Sequence, residues 1–137
     1  MKVPRVVLDT GVHLTQAKSG LRDSSIWVAM RSGHVVPLVS RATYEEFREK
    51  LGDPKFGISE AERDSILAEY LNYAEYTRDV PDSGSTICRD EKDRPFVDLA
   101  MAKEADAIVS VDPDLSDCNG LWDFPVLNVT EFVRRFS

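Results

Sequence analysis

The stretch DRPFVDLAMAKEADAIVSVDPD, residues 93–114, runs from an acid through an apolar helix and a buried strand to two further acids. Residues 93–104 place Phe96, Val97, Leu99, Ala100 and Met101 around much of a helical circumference, so this helix is expected at the centre of the fold. Residues 107–111, AIVSV, are continuously apolar rather than alternating. That is the pattern of a strand covered on both faces, as in a parallel sheet.

The same grammar extends in both directions. RVVL, residues 5–8, is a β-branched run stopped by Asp9-Thr10-Gly11, and residues 34–39 and 125–129 are further apolar strands, with a weaker one at 76–80. Helical periodicity predicts helices at 21–31, 40–51, 59–73 and 130–136. In the second of these, Tyr44, Phe47 and Leu51 form one stripe before Gly52 and Pro54 end it. Strands alternating with helices imply a three-layer α/β/α sandwich with a central parallel sheet, here as one domain over residues 1–137. The connection 81–92 is polar, and no repeat or linker interrupts the chain.

Composition fits that picture. With 137 residues, 42% hydrophobic and 30% charged, the chain can bury a core without disulfides or a structural metal. Its two cysteines, Cys88 and Cys118, are too few for a disulfide framework and lie in no zinc-binding pattern, so both are read as packing residues in a reducing compartment. The formal charge of −7 excludes a nucleic-acid binder that works by bulk attraction. The apolar run after the first five residues is too short for a signal peptide or a membrane span, which points to a cytoplasmic protein with no membrane partner.

Ligands of open parallel sheets bind at the carboxyl ends of the strands. Asp9 closes the first strand and Asp112 follows AIVSV, with Asp114 two residues on and Asp90 and Asp93 at the start of the central helix. Unneutralised acids packed on one edge repel by roughly 3 kcal/mol per pair at about 5 Å and an effective dielectric near 20. Hard divalent cations, Mg²⁺ or Mn²⁺, suit such a cluster. Each acid also has an ordinary reading: Asp93 as an N-cap, Thr43 and Glu46 as a capping box, Asp112-Pro113-Asp114 as a turn. An acid closing a buried strand is harder to explain that way.

RVVLDTG, SRATYEEFREKL, CRDEKDRPFVDLAMAKEADAIVSVDPDL and PVLNVTEFV resemble, in order and spacing, the PIN-domain family, in the branch that supplies toxins of type II toxin–antitoxin pairs. The resemblance implies a PIN-like fold and a metal-dependent ribonuclease. It maps the family's acidic quartet onto Asp9, Glu46, Asp93 and Asp112 as catalytic and metal-binding residues, with Thr10, Ser110 and Asp114 at accessory positions. Mg²⁺ or Mn²⁺ is the implied cofactor and RNA the implied substrate. A cognate antitoxin and a second copy of the chain are the implied protein partners. Periodicity does not choose between Glu45 and Glu46; only the resemblance selects Glu46.

One departure stands out. The family usually has Asn after Asp-Thr, and this chain has Gly11, which offers only backbone to orient the first carboxylate. Either another group substitutes or the site is weakened. The alternative is therefore a PIN-like protein with a degenerate site, acting as a non-catalytic binding or RNA-processing partner. His13 is read as a neutral histidine rather than a participant. A phosphoacceptor receiver domain shares the architecture but needs an acidic doublet after the first strand, where this chain has Asp9-Thr10.

Overall fold

The computed structural model describes residues 2–17, 20–84 and 91–136. Cys88, Asp90 and half of the 81–92 connection lie outside them, and Cys118 is not the free packing thiol expected. Five strands form one sheet: β1 (Arg5–Leu8), β2 (Val36–Ser40), β3 (Glu75–Thr77), β4 (Ala107–Val109) and β5 (Val126–Leu127). Their order is β3-β2-β1-β4-β5 and every pairing is parallel, with Val7 beside Leu38 on one side and beside Ile108 on the other.

Side-chain alternation splits the core in two. Val6, Leu8, Val39, Ala107 and Val109 face one layer, which is closed by α1 (Thr10–Leu14), α2 (Ser25–Arg31), α3 (Arg41–Leu51), α4 (Glu60–Tyr73) and α7 (Val129–Phe136). Val7, Leu38, Ile108 and Val126 face the other, closed by α5 (Arg94–Ala102) and α6 (Pro113–Ser116). The expected three-layer sandwich is thus observed. The expected central helix is α5, with Phe96, Val97, Leu99 and Ala100 buried; Met101 is exposed.

Local chemistry sets the boundaries. β2 starts two residues later than expected because α2 ends in a Schellman turn: Gly33 takes a φ of 76°, His34 N–H donates to Ala29 C=O at 2.9 Å, and Gly33 N–H donates to Met30 C=O. α3 opens with a capping box, but its members are Ser40 and Thr43, not Thr43 and Glu46. Ser40 Oγ accepts from Thr43 N–H and Thr43 Oγ1 accepts from Ser40 N–H. The Glu46 side chain therefore takes no part in the cap. No helix among the described residues is long and apolar enough to cross a membrane.

Candidate active site

The chain runs outward from β1 to β2 and β3, then returns to place β4 on the opposite side of β1. The crevice at that reversal is where open α/β sheets bind ligands. Asp9 leaves β1 there and Ser110 and Asp112 leave β4 beside it, joined by the bond from Asp9 N–H to Val109 C=O. Asp93 enters from the short 3-10 turn Glu91–Asp93 that leads into α5.

Carboxylate oxygens of Asp9, Asp93 and Asp112 all lie within 4.8 Å of one another, with Asp9 and Asp93 buried. Three acids come from three separate segments, and like charges at this distance destabilise a metal-free fold. An all-oxygen donor set is the kind that hard divalent cations bind, at about 2.0 to 2.6 Å. The residues therefore fit such an ion. Asp93 places no side-chain hydrogen bond on the α5 terminus, so the N-cap reading does not account for it. Asp112 does cap α6, accepting from Asp114 N–H at 2.9 Å, and it uses Oδ1 to do so.

Asp9 carries the electrostatic strain of the site. Burial pushes its carboxyl above the usual carboxylate range, and the charges of Glu46 and Asp112 push the same way. Hydrogen bonds from Ser110 and from Gly11 N–H act in opposition. Ser110, fully buried, donates its hydroxyl to Asp9 Oδ2 at 2.8 Å and accepts Asp112 N–H at 2.9 Å. One hydroxyl thus orients the first carboxylate and ties it to the turn bearing the third.

Glu46 lines the same pocket, together with Lys50 and Lys92, while Glu45 points into a neighbouring cavity. Glu46 stands apart from the three-aspartate group and accepts from Thr10 Oγ1 at 2.5 Å. Asp114 does not line the pocket; it sits exposed on α6. The structure therefore gathers Asp9, Asp93 and Asp112 tightly, holds Glu46 at the pocket wall through Thr10, places Ser110 beneath, and leaves Asp114 outside. Lys50 and Lys92 went unnoticed in the sequence. The signal for Lys50 was its i+4 spacing from Glu46, to which its Nζ lies 3.9 Å away.

A family model for the PIN domain matches residues 5–114, most of the chain and every segment that builds this pocket. The chain belongs to the PIN-domain family. PIN domains are generally nucleases and typically use divalent metals, which agrees with the acid cluster. The PIN fold is matched by the crystal structure of PAE2754 from Pyrobaculum aerophilum, with a TM-score of 0.62 at 13% identity over 98% of this chain and 90% of that one. No curated protein matches.

In this PIN domain Val111 closes in on the position of the family's usual Asn. A Cβ on Gly11 would lie 2.9 Å from Val111 Cγ2. Gly11 is an ordinary residue of α1 without a positive φ, so backbone geometry does not demand glycine. Gly11→Asn is accordingly expected to destabilise the protein by about 1 kcal/mol through overpacking. Gly11→Asn with Val111→Ala should recover that loss, and thermal melts of the pair check it. Equal losses in both variants would mean that Val111 is not what Asn displaces.

Ser110 donates to Asp9 from the family's accessory position. Ser110→Ala should raise the Asp9 carboxyl further and weaken divalent-metal affinity roughly 10- to 100-fold, as loss of an orienting partner behind a ligand does. Calorimetric Mn²⁺ titration of this variant checks the effect; unaltered affinity would assign the orientation of Asp9 elsewhere.

Proposed function

We propose that the protein is a Mg²⁺- or Mn²⁺-dependent endoribonuclease, with Asp9, Asp93 and Asp112 as metal ligands and Glu46 as the fourth acid of the site. The convergence of three aspartates within 4.8 Å at the sheet's switch point, in a chain of a nuclease family, carries the reading. A divalent cation bound there supplies Lewis-acid stabilisation of the charge that builds on a phosphodiester and lowers the pKa of attacking water.

The protein's own groups provide the rest. Asp9 is held by Ser110 and by Gly11 N–H in a single orientation, which removes a rotamer search from metal capture. Glu46, fixed by Thr10, faces the cluster from α3 and is placed to accept a proton from water approaching the phosphate. Lys50, on the same helix face, offers a cation to phosphate oxygens. The orienting role of Ser110 argues against the degenerate-site reading that Gly11 suggested.

The toxin role is proposed on the resemblance of the sequence to that branch of the family, with an antitoxin and a second copy as partners. Purified protein should cleave single-stranded RNA in Mg²⁺ or Mn²⁺, stop in chelator, and lose activity by at least roughly a hundredfold on Asp93→Asn, as loss of a transition-state electrostatic group does. Cleavage that survives chelation or Asp93→Asn would overturn the assignment. Expression of the wild type, but not of Asp93→Asn, should arrest growth of a bacterial host if it acts as a toxin.

A further inference from the structure

A cavity of about 520 Å³ lies beside the acid pocket, at the same carboxyl edge of the sheet. The two are neighbours through shared walls. Glu45 lines the cavity and Glu46 the pocket, and Glu91 and Arg94 line the cavity while Lys92 and Asp93 line the pocket. A nucleic-acid chain with a phosphate at the aspartates therefore brings an adjoining nucleotide to the cavity, whose volume suits a small organic group.

Its charges argue against a phosphate cradle. Arg41, Arg78 and Arg94 are opposed by Glu45, Asp79, Glu91 and Asp98, which leaves one excess negative charge. Several of these are engaged: Arg94 donates to Asp82 at 2.5 Å, Asp98 accepts from Ser83 N–H and Oγ, and Arg78 lies 4.0 Å from Asp79. Arg41, Glu45 and Glu91 remain, and of these Arg41 and Glu45 are both exposed and one turn apart on the same face of α3. A carboxylate beside a guanidinium, with Val80 and Pro95 as apolar walls, is a recognition set for a base rather than for a backbone.

The base it fits is guanine. Guanine alone among the RNA bases presents two adjacent donors, N1–H and N2–H, to a single carboxylate. Adenine and cytosine each set an acceptor next to their donor, and uracil flanks its one donor with two acceptors. Guanine also offers O6 and N7, the atoms that arginine recognises bidentately. We propose that this cavity receives an unpaired guanine next to the scissile phosphate, with Glu45 accepting from its Watson–Crick edge and Arg41 donating to O6 and N7. This deepens, and rests on, the ribonuclease reading.

The test is cleavage of a pool of short single-stranded RNAs randomised around one position, sequenced at the new ends, with Mg²⁺. Binding of guanine-containing and guanine-free oligonucleotides to the non-cutting Asp9→Asn protein is measured alongside. The wild type should favour guanine at one flanking position by at least about fivefold, the low end of what a bidentate base contact supplies. Glu45→Gln, whose amide pairs a donor with an acceptor, should shift the preference toward adenine, an exchange that a merely structural role for Glu45 would not produce. Cleavage without base bias, or a bias unaltered by Glu45→Gln, would overturn the inference and leave the nuclease reading standing. Selective guanine binding without any cleavage would do the reverse, and absence of both would overturn the two together.

Discussion

Asp9→Asn is expected to abolish RNA cleavage while raising the melting temperature of the metal-free protein. The carboxylate is buried, faces Glu46 and Asp112, and titrates above the usual range because of that burial and repulsion. A folded-state pKa above the unfolded one means that the native protein binds the proton more tightly, so stability is lost as pH rises through the titration. At neutral pH the wild type carries this penalty and the Asn variant does not. The gain should be on the order of 1 kcal/mol, about 3 °C for a chain of this size, after the loss of the charged bond to Ser110 is counted. It should fade as pH falls toward 4. Millimolar Mg²⁺ should stabilise the wild type by mass action and the variant far less. Most substitutions of buried residues destabilise, so a rise in chelator is a specific signature of charges held together. Melts with chelator and with Mg²⁺ check it; a lower melting temperature for Asp9→Asn in both conditions would mean that Asp9 is a structural acid.

The second large effect concerns acid stability and a residue outside the chemistry. His13 is buried in an aromatic box, stacked on Phe47 with ring centroids 4.5 Å apart and edge-on to Tyr70 at 5.0 Å. Its Nδ1 accepts from Trp27 Nε1–H at 3.2 Å, which puts the proton on Nε2, an atom buried with no hydrogen-bond partner. Burial lowers its pKa to about 3. Between the unfolded value near 6.5 and that folded value the unfolded chain takes up a proton and the native state does not, so stability falls as pH falls through this window. At about 1.4 kcal/mol per pH unit, the loss reaches roughly 3 kcal/mol by pH 4. His13→Gln keeps an acceptor for Trp27 and removes the titration. It should melt lower than wild type at pH 7 because the ring stack is gone, yet fall more gently between pH 6.5 and 4. Parallel pH profiles for the two proteins would show that His13 is protonated in the native state.

The sequence carried the architecture wherever an element was long enough to have a period. β1, the central helix α5 and the strand β4 could be read from apolar continuity, and with them the edge on which Asp9 and Asp112 sit. α1 and α6, with five and four residues, are too short for periodicity, and the Asp112-Pro113-Asp114 turn concealed the helix that Asp112 caps. Glu46 could be chosen over Glu45 only by family resemblance, because both lie off the buried stripe; the structure puts them on opposite sides of one wall. The dual bonding of Ser110 joins residues more than a hundred apart in sequence, a pairing that local patterns do not encode. The same holds for the approach of Val111 to Gly11.

The proposed chemistry requires Asp9, Asp93 and Asp112 to form one cation site. Calorimetric titration of Mn²⁺ into the metal-free protein, run side by side with Asp9→Asn and Asp112→Asn, addresses that directly. Saturable binding by the wild type and a loss of at least roughly tenfold in affinity in each variant is the predicted result. Binding of equal strength in all three proteins, or none in the wild type at millimolar metal, would contradict it.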